Sequence, residues 1–453
     1  MIFTTEWISR ILKDFDGEIN GHMGINGIMT DSRKETENAL FVPIKGEKFD
    51  AHDFLLQAVD NGATATLWNR MTNLPDGLPA GFPVFYVDDT TTALQQIAHA
   101  YRNEVQPLVI GITGSNGKTT TKDLVASVMK STYRTHYTDG NYNNHIGLPL
   151  TILSMPKDTE VLVLEMGMSD YGEIELLSDL AQPDYAIITN IGESHIEYLG
   201  SREGIAKAKL EITAGLKTGG LLFIDGDEEL LSHVRKRQNT ITCGFSEHND
   251  EVIRGVEIGA HHTAFELDSN EYEVPLLGKH HALNAAFAVT LGRELNISVE
   301  AIRQALTSLK QTGMRFEMLE GKKGASIIND AYNASPTSMK AAIELVKQLE
   351  GFNERVLVLG DVLELGDHSA VYHRSIAEVV EAPITAVLTL GKEAEHISAA
   401  VKERQPEILC RHYTDRENLA EDLHSYLRED AVLLFKASRG LQFEKFIEKL
   451  IKA

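Results

Sequence analysis

The apolar run Leu108-Val-Ile-Gly-Ile-Thr113 passes directly into Gly114-Ser-Asn-Gly-Lys-Thr119, and a helical pattern follows from about Lys118 to Lys130. A short continuous apolar run reads as a strand buried on both faces of a parallel sheet. Such a strand needs neighbours and covering helices, so the chain around it must form a layered α/β domain. Glycines in the turn let backbone N–H groups close around phosphate oxygens, and the helix N-terminus adds partial positive charge. Lys118 can reach β- and γ-phosphates, while a hydroxyl from Thr119 or Thr120 can bind Mg²⁺. The common G-x-x-x-x-G-K-[ST] spacing would put glycine at 112, where Ile112 stands, so the loop is a tighter variant. The bland alternative is a Gly-rich strand–helix turn that happens to contain lysine. Strand, loop, Lys, Thr and helix all occur in order, and ATP binding is the expectation.

At roughly 150 residues per domain, 453 residues suggest about three domains. Residues 1–105 mix short elements: a strand within Ala39–Gly46, a helix over Asp53–Asn61 and a strand at Val84–Val87. Gln106-Pro107 marks the first boundary, because proline restricts the residue before it. Further buried strands are predicted at Glu160–Leu164, Tyr185–Thr189 and Leu221–Ile224. A second boundary lies near Gln311-Thr-Gly-Met314. Beyond it, strands at Ser326–Ile328, Val356–Leu359, Ala386–Leu390 and Val432–Phe435 alternate with helices such as Ser338–Leu349 and Leu419–Leu427. That alternation predicts a doubly wound α/β domain. The expected division is 1–105, 106–312 and 313–453, each α/β.

Composition narrows the function. With 43 Lys+Arg against 66 Asp+Glu the formal charge is −23, which excludes a generic nucleic-acid coat. A small anionic ligand remains open, since a few donors or a metal reverse the local field. Cys243 and Cys410 show no CxxC or Cys/His cluster, so they read as ordinary thiols of a reducing cytoplasm. The opening Met1-Ile-Phe-Thr-Thr-Glu-Trp lacks the order of a signal peptide, and no apolar run reaches the ~18 residues of a membrane span. A cytoplasmic protein is expected.

Other chemistry-bearing residues fall at strand ends. Val161-Leu-Val-Leu-Glu165 finishes in a carboxylate, and ligands of open α/β sheets bind outside the carboxyl ends of strands. Glu165 is thus placed to ligate Mg²⁺, directly or through water, although an exposed Glu closing a strand has the same pattern. The strand from Tyr185 leads to Glu193-Ser-His195, which puts His195 at the same predicted edge for a metal or phosphate role. Arg202 to Ile212 reads as a helix, and its periodicity alone does not separate Lys209 from Lys207.

Together these segments resemble the Mur ligases of bacterial cell-wall synthesis over nearly the whole chain. The resemblance is carried by Thr113-Gly-Ser-Asn-Gly-Lys-Thr-Thr-Thr121, Asn141-Tyr-Asn-Asn-His-Ile-Gly-Leu-Pro149, Glu165-Met-Gly, Asn190-Ile-Gly-Glu-Ser-His195 and Ala208-Lys-Leu-Glu-Ile212. It continues through Gly278-Lys-His-His-Ala-Leu-Asn284, Gly313-Met-Arg315, Asn329 to Met339, and Leu359-Gly-Asp-Val-Leu-Glu-Leu-Gly366. Within the family, the segments at 143–147, 330–336 and 360–366 are most similar to members that join D-alanyl-D-alanine to UDP-N-acetylmuramoyl-tripeptide.

The resemblance implies ATP as cofactor, held by Thr113, Gly114, Ser115, Asn116, Gly117, Lys118, Thr119 and Thr120. It implies Thr119 and Glu165 on one Mg²⁺, and His195 on a second, supported by Lys209 carbamylated with CO₂. Asn284 would contact adenine, Arg315 the γ-phosphate, and Asp330, Tyr332 and Asn333 the ribose and adenine. His281 stands where the family often has Asn. Thr30, Asp31, Ser32, Arg33, Gly46 and His52 resemble the UDP-sugar domain, with Ala51 in place of a usual Gly. Asn141, Asn143 and Asn144 are substrate candidates by the same match. Asp361, Glu364, Lys436 and Ser438, at predicted strand ends, are candidates for the dipeptide amine and carboxylate, with structural roles equally open. The implied catalytic set is Lys118, Glu165, His195, Lys209 and Arg315, in a monomer acting on a UDP-linked tripeptide and a dipeptide, with no nucleic acid and no membrane span. Three rivals remain: a Mur-type or folate ligase adding one amino acid, a P-loop NTPase that joins nothing, and a Mur-fold scaffold that binds a UDP precursor without catalysis, against which Lys118, Glu165, His195 and Lys209 speak. The roughly 105 residues before the loop speak against a folate ligase, which generally lacks a preceding domain.

Overall fold

Three parallel-rich sheets organise the chain in a computed structural model that describes residues 2–19, 21–46, 48–259, 261–309 and 312–452. The central sheet has seven strands, in the order Glu251–Val252, Thr240–Gly244, Leu221–Asp225, Tyr185–Ile188, Leu108–Thr113, Val161–Glu165 and Thr135–Tyr137. Every pairing in it is parallel. Val161–Glu165 is buried at all five positions, which is why its sequence shows no polar alternation. The helix Lys279–Glu294 covers this sheet beside Lys118–Lys130 and buries twelve of its own residues, from His281 to Gly292.

The N-terminal region builds a five-stranded sheet ordered Phe15–Asp16, Val84–Val87, Ala63–Asn69, Ala39–Phe41, Gly27–Met29, antiparallel only at the first pair. The C-terminal region builds six strands ordered Glu317–Glu320, Ser326–Asn329, Ala431–Lys436, Glu354–Gly360, Ala386–Leu390, Leu409–Tyr413. Here too only the first pair is antiparallel. In this sheet Ala431–Lys436 lies between Ser326–Asn329 and Glu354–Gly360, and their carboxyl ends form the switch point where such folds bind ligands.

The expected strands match to within a few residues. Three corrections concern helices. Asp53–Asn61 opens with a 3₁₀ turn, Ala51–Phe54, capped by Asp50, and is α-helical only over Leu55–Asp60. The helix from Arg202 ends at Leu210 and tightens into a 3₁₀ turn over Glu211–Thr213. The helix placed at Leu419–Leu427 runs instead from Arg416 to Leu423, because Asp415 caps it by accepting the backbone N–H groups of Glu417 and Asn418. A three-stranded antiparallel sheet, Arg254–Ile258, Thr263–Leu267 and Asn270–Val274, was not anticipated. Gln311, at the second expected boundary, lies outside the described residues. Among the described residues no helix is long and apolar enough to cross a membrane.

Arg102 fastens the N-terminal region to the central sheet. It is 5% exposed and sits in the helix Thr90–Val105. Its guanidinium donates to the carbonyls of Ala181 (2.8 Å) and Gln182 (3.0 Å). Replacing it strands one buried and one half-buried acceptor, which costs roughly 2 kcal/mol. Arg102→Met is expected to lower the first thermal unfolding transition by several degrees, measured by calorimetry. An unchanged transition would show that this contact does not hold the two regions together.

Candidate active site

The carboxyl ends of the central and C-terminal sheets face each other across a cavity of about 1060 Å³. Gly114 has φ +153 and a Cβ there would lie 1.9 Å from Thr189 Oγ1, so only glycine allows the loop to close on that strand end. Thr189 Oγ1 and Asn190 Nδ2 both donate to the Asn116 carbonyl, at 2.6 and 2.9 Å. Gly117 starts the helix with φ 77, and a Cβ on it would meet Asn284 Oδ1 at 2.9 Å. The loop is therefore held open at its centre by strand-end side chains, with its backbone facing the cavity.

Around it lies a chain of polar contacts. Thr119 Oγ1 donates to Glu165 Oε2 (2.7 Å) and accepts from Arg315 (2.8 Å). Asn143 Nδ2 donates to the other Glu165 oxygen (2.7 Å), and the Glu165 N–H donates to Thr138 Oγ1 (3.0 Å). Arg315 stacks 4.3 Å from the Tyr332 ring. Lys118 Nζ donates to the Gly114 carbonyl at 2.8 Å. Burial pushes its ammonium below the ordinary value; Glu165 opposes that and Arg315 adds to it. Lys209 is 2% exposed, and burial, then the charge of Lys118, push it well below the ordinary lysine value. Lys118 and Arg315 thus stand beside the Glu165 carboxylate, which suits a phosphate-bearing ligand.

Ser115, Asn116, Gly117, Thr120, Asn141, Asn144, His195, Asp330 and Asn333 also line the cavity, with Asn284 and Tyr332. Thr113 lies beneath the loop, fully buried. Asn144 is partly spent: its Oδ1 accepts the Ile146 and Gly147 N–H groups that start the next helix. His195, at φ 64, has Nδ1 2.5 Å from Glu364 Oε2 in a bent contact, which holds the Glu364 carboxyl below its usual value. His281 is neutral, pushed well below the ordinary imidazole value by burial and then by His280.

Several candidates are engaged elsewhere. Asp361 accepts the backbone N–H groups of Lys392, Glu393 and Ala394 (2.7–3.0 Å), an anchor for the turn before the helix Glu395–Arg404. Lys436 lines the cavity, but its ammonium is paired with Asp330 at 2.6 Å. Ser438 accepts the Leu363 N–H at 2.9 Å and, with Glu364, lines a smaller adjoining cavity of about 170 Å³. His52 is buried against Trp68, with Nδ1 2.6 Å from Asp50 and Nε2 accepting the Asn69 N–H. Asp31 pairs with Arg33 at 2.8 Å and Ser32 with Gln57. Thr30, these residues and Gly46 do not line either cavity.

Sequence reasoning passed over Asp225, which ends an apolar strand as Glu165 does, lines the cavity, and is raised by burial to about 6. It also passed over two residues that clasp the two regions. Ser335 Oγ donates to Asn116 Oδ1 (3.0 Å), and Thr337 Oγ1 to Glu193 (2.8 Å). Ser335-Pro336 before a helix was the available signal. No cluster of three or more His, Cys, Asp or Glu that could hold a metal ion occurs among the described residues. A cation here would need ligand phosphates alongside Thr119, Glu165 or His195.

This arrangement has counterparts. Residues 24–102 match the model described as Mur ligase family, catalytic domain; residues 112–292 match the Mur ligase middle domain; residues 314–439 match the Mur ligase, glutamate ligase domain. The chain belongs to the Mur ligase family. Among its Mur relatives, the UDP-N-acetylmuramoyl-tripeptide–D-alanyl-D-alanine ligase of Bacillus subtilis is 48% identical, covering 95% of this chain and 94% of that one. The Escherichia coli protein of the same name is 32% identical, with 98% of each chain covered. Of solved Mur ligases, MurF from Acinetobacter baumannii superposes with a TM-score of 0.87 at 29% identity, covering 99% and 98%. MurF from Thermotoga maritima, solved in complex with ADP, superposes at 0.81 and 32% identity, covering 93% and 96%.

Gly114→Ala is expected to weaken ADP binding at least tenfold, about 1.4 kcal/mol, read by titration calorimetry. Binding at the parent affinity would mean the loop does not cradle the nucleotide.

Proposed function

We propose that this protein ligates D-alanyl-D-alanine to UDP-N-acetylmuramoyl-tripeptide at the expense of ATP, giving the pentapeptide precursor of peptidoglycan, ADP and phosphate. The observation that carries the reading is the near end-to-end match, at 48% identity, to the Bacillus subtilis ligase of that name. The glycine loop with Lys118, and Arg315 reaching it from the facing sheet, support it independently.

The tripeptide's terminal carboxylate attacks the γ-phosphorus of ATP; an O–P bond forms, the bond to ADP breaks, and an acyl phosphate results. The dipeptide amine then attacks the acyl carbon, loses a proton, and expels inorganic phosphate as the amide forms. Phosphoryl transfer is governed by charge placement more than by covalent chemistry. Lys118 and Arg315 would face the transferring group, and Thr119 and Glu165 would hold Mg²⁺, which would offset phosphate charge. His195 would hold a second Mg²⁺ with the help of Lys209. The neutral amine of buried Lys209 attacks CO₂, forms a C–N bond and releases one proton, becoming an anionic carbamate. Thr113, Ser115, Asn116, Gly117 and Thr120 line the phosphate path, and Asn284, Asp330, Tyr332 and Asn333 take the nucleoside. Contacts from the C-terminal region exclude water that would hydrolyse the acyl phosphate. The N-terminal region, with Thr30 to Arg33 and Gly46, takes the UDP moiety. The division at 105 and 312 assigns these tasks to three domains of a cytoplasmic monomer.

Phosphate release is expected when ATP, UDP-N-acetylmuramoyl-tripeptide and D-alanyl-D-alanine are all present, with a product heavier by the dipeptide less water. Turnover with a single amino acid would move the protein to another ligase of the family, and release indifferent to acceptor and amine would refute ligation. Lys209→Ala is expected to lose nearly all ligation and to recover part of it with a short carboxylic acid. Full activity of that variant without rescue would remove the carbamate from the account.

A further inference from the structure

The contact between His195 and Glu364 crosses from the central region to the C-terminal one. His195 follows the strand Tyr185–Ile188, and Glu364 follows Glu354–Gly360. Their side chains meet at 2.5 Å, Nδ1 to Oε2. The backbones are joined as well, since the Glu197 N–H donates to the Glu364 carbonyl at 3.1 Å. Both residues occupy the left-handed region, at φ 64 and φ 63. Side-chain-bearing residues keep that conformation when their surroundings over-determine it. Each loop is thus shaped to present its side chain to the other.

The short separation fixes the proton. A carboxylate oxygen and an unprotonated ring nitrogen facing each other at this distance would repel, lone pair against lone pair. Nδ1 therefore carries the hydrogen, and in the neutral ring Nε2 carries the free lone pair. Nδ1 is buried and meets Glu364 in a contact too bent for a straight hydrogen bond, while the His195 side chain keeps 23% exposure and lines the large cavity. A carboxylate behind a metal-ligating imidazole orients the ring and raises its basicity.

We infer that Glu364 is a positioning residue for His195: it is delivered by the C-terminal region, sets the Nδ1–H tautomer, and makes strong binding of a divalent cation at His195 depend on closure of that region. This deepens the proposed function and rests on its reading of His195 as a cation ligand. The dipeptide role considered for Glu364 then gives way to one that couples the amine-side loop to the cation.

Two measurements on the full-length chain test it. Nitrogen-15 NMR of the histidine-labelled protein, with the His195 signals assigned by their loss in His195→Gln, is run above the imidazole titration range without metal. The Nδ1–H tautomer is expected in the parent and in Glu364→Gln, whose amide oxygen still accepts, and a mixed or Nε2–H population in Glu364→Ala. An unchanged tautomer in Glu364→Ala overturns the inference. Manganese binding in the presence of ADP is then counted by electron paramagnetic resonance. Glu364→Ala is expected to weaken the His195-dependent ion by about 10–100-fold, leaving the other ion and ADP affinity unchanged, and Glu364→Gln to restore most of it. Equal affinity in Glu364→Ala overturns the inference. Manganese binding insensitive to His195→Gln would instead refute the reading of His195 as a ligand.

Discussion

The Thr119 hydroxyl, 4% exposed, gives its hydrogen to Glu165 and accepts one from Arg315. Three distant parts of the chain meet at that oxygen: the glycine loop, the end of a neighbouring strand, and the first turn of the C-terminal region. A buried hydroxyl must be satisfied, so each partner constrains the other two. Glu165 is held in turn by Asn143, and Arg315 by the Tyr332 ring. In a chain of formal charge −23, this spot brings Lys118 and Arg315 close to Glu165. At that point two cations stand beside one carboxylate, a local excess that suits a phosphate.

What closes the site is a set of side-chain contacts between two sheets whose ligand-binding edges face each other. Arg315, Ser335, Thr337 and Glu364 reach from the C-terminal region to Thr119, Asn116, Glu193 and His195. These polar contacts are joined by apolar ones, since Ile196 and Leu199 belong to the same buried cluster as Val362 and Leu365. A reaction through a water-sensitive intermediate benefits from two sheet edges held together over the site.

The parallel strands were legible because burial on both faces leaves an uninterrupted apolar run. The antiparallel sheet from Arg254 to Val274 was not: Arg254–Ile258 is largely solvent-exposed, and the alternation in Thr263–Leu267 and Asn270–Val274 was passed over. Glu165 and His195 could be placed by the strand-end rule alone, and the same rule applied to Leu221–Asp225 would have found Asp225. Lys209 was hidden among helical lysines. Its burial follows from position, four residues after Ile205 and three before Ile212, both fully buried, whereas Lys207 points to solvent. Asp361 and His52 had the right residue types, but their hydrogen bonds are spent on the fold, a distinction that only tertiary contacts reveal.

The central claim is that the acceptor carboxylate itself attacks ATP before the amide forms. Oxygen-18 placed in the terminal carboxylate of the UDP-linked tripeptide tests this directly, with the inorganic phosphate from one turnover analysed by mass. The account predicts one labelled oxygen in each phosphate released. Unlabelled phosphate in ordinary water, with label appearing instead when the water is oxygen-18, would mean that ATP is hydrolysed by water and would contradict the acyl-phosphate route.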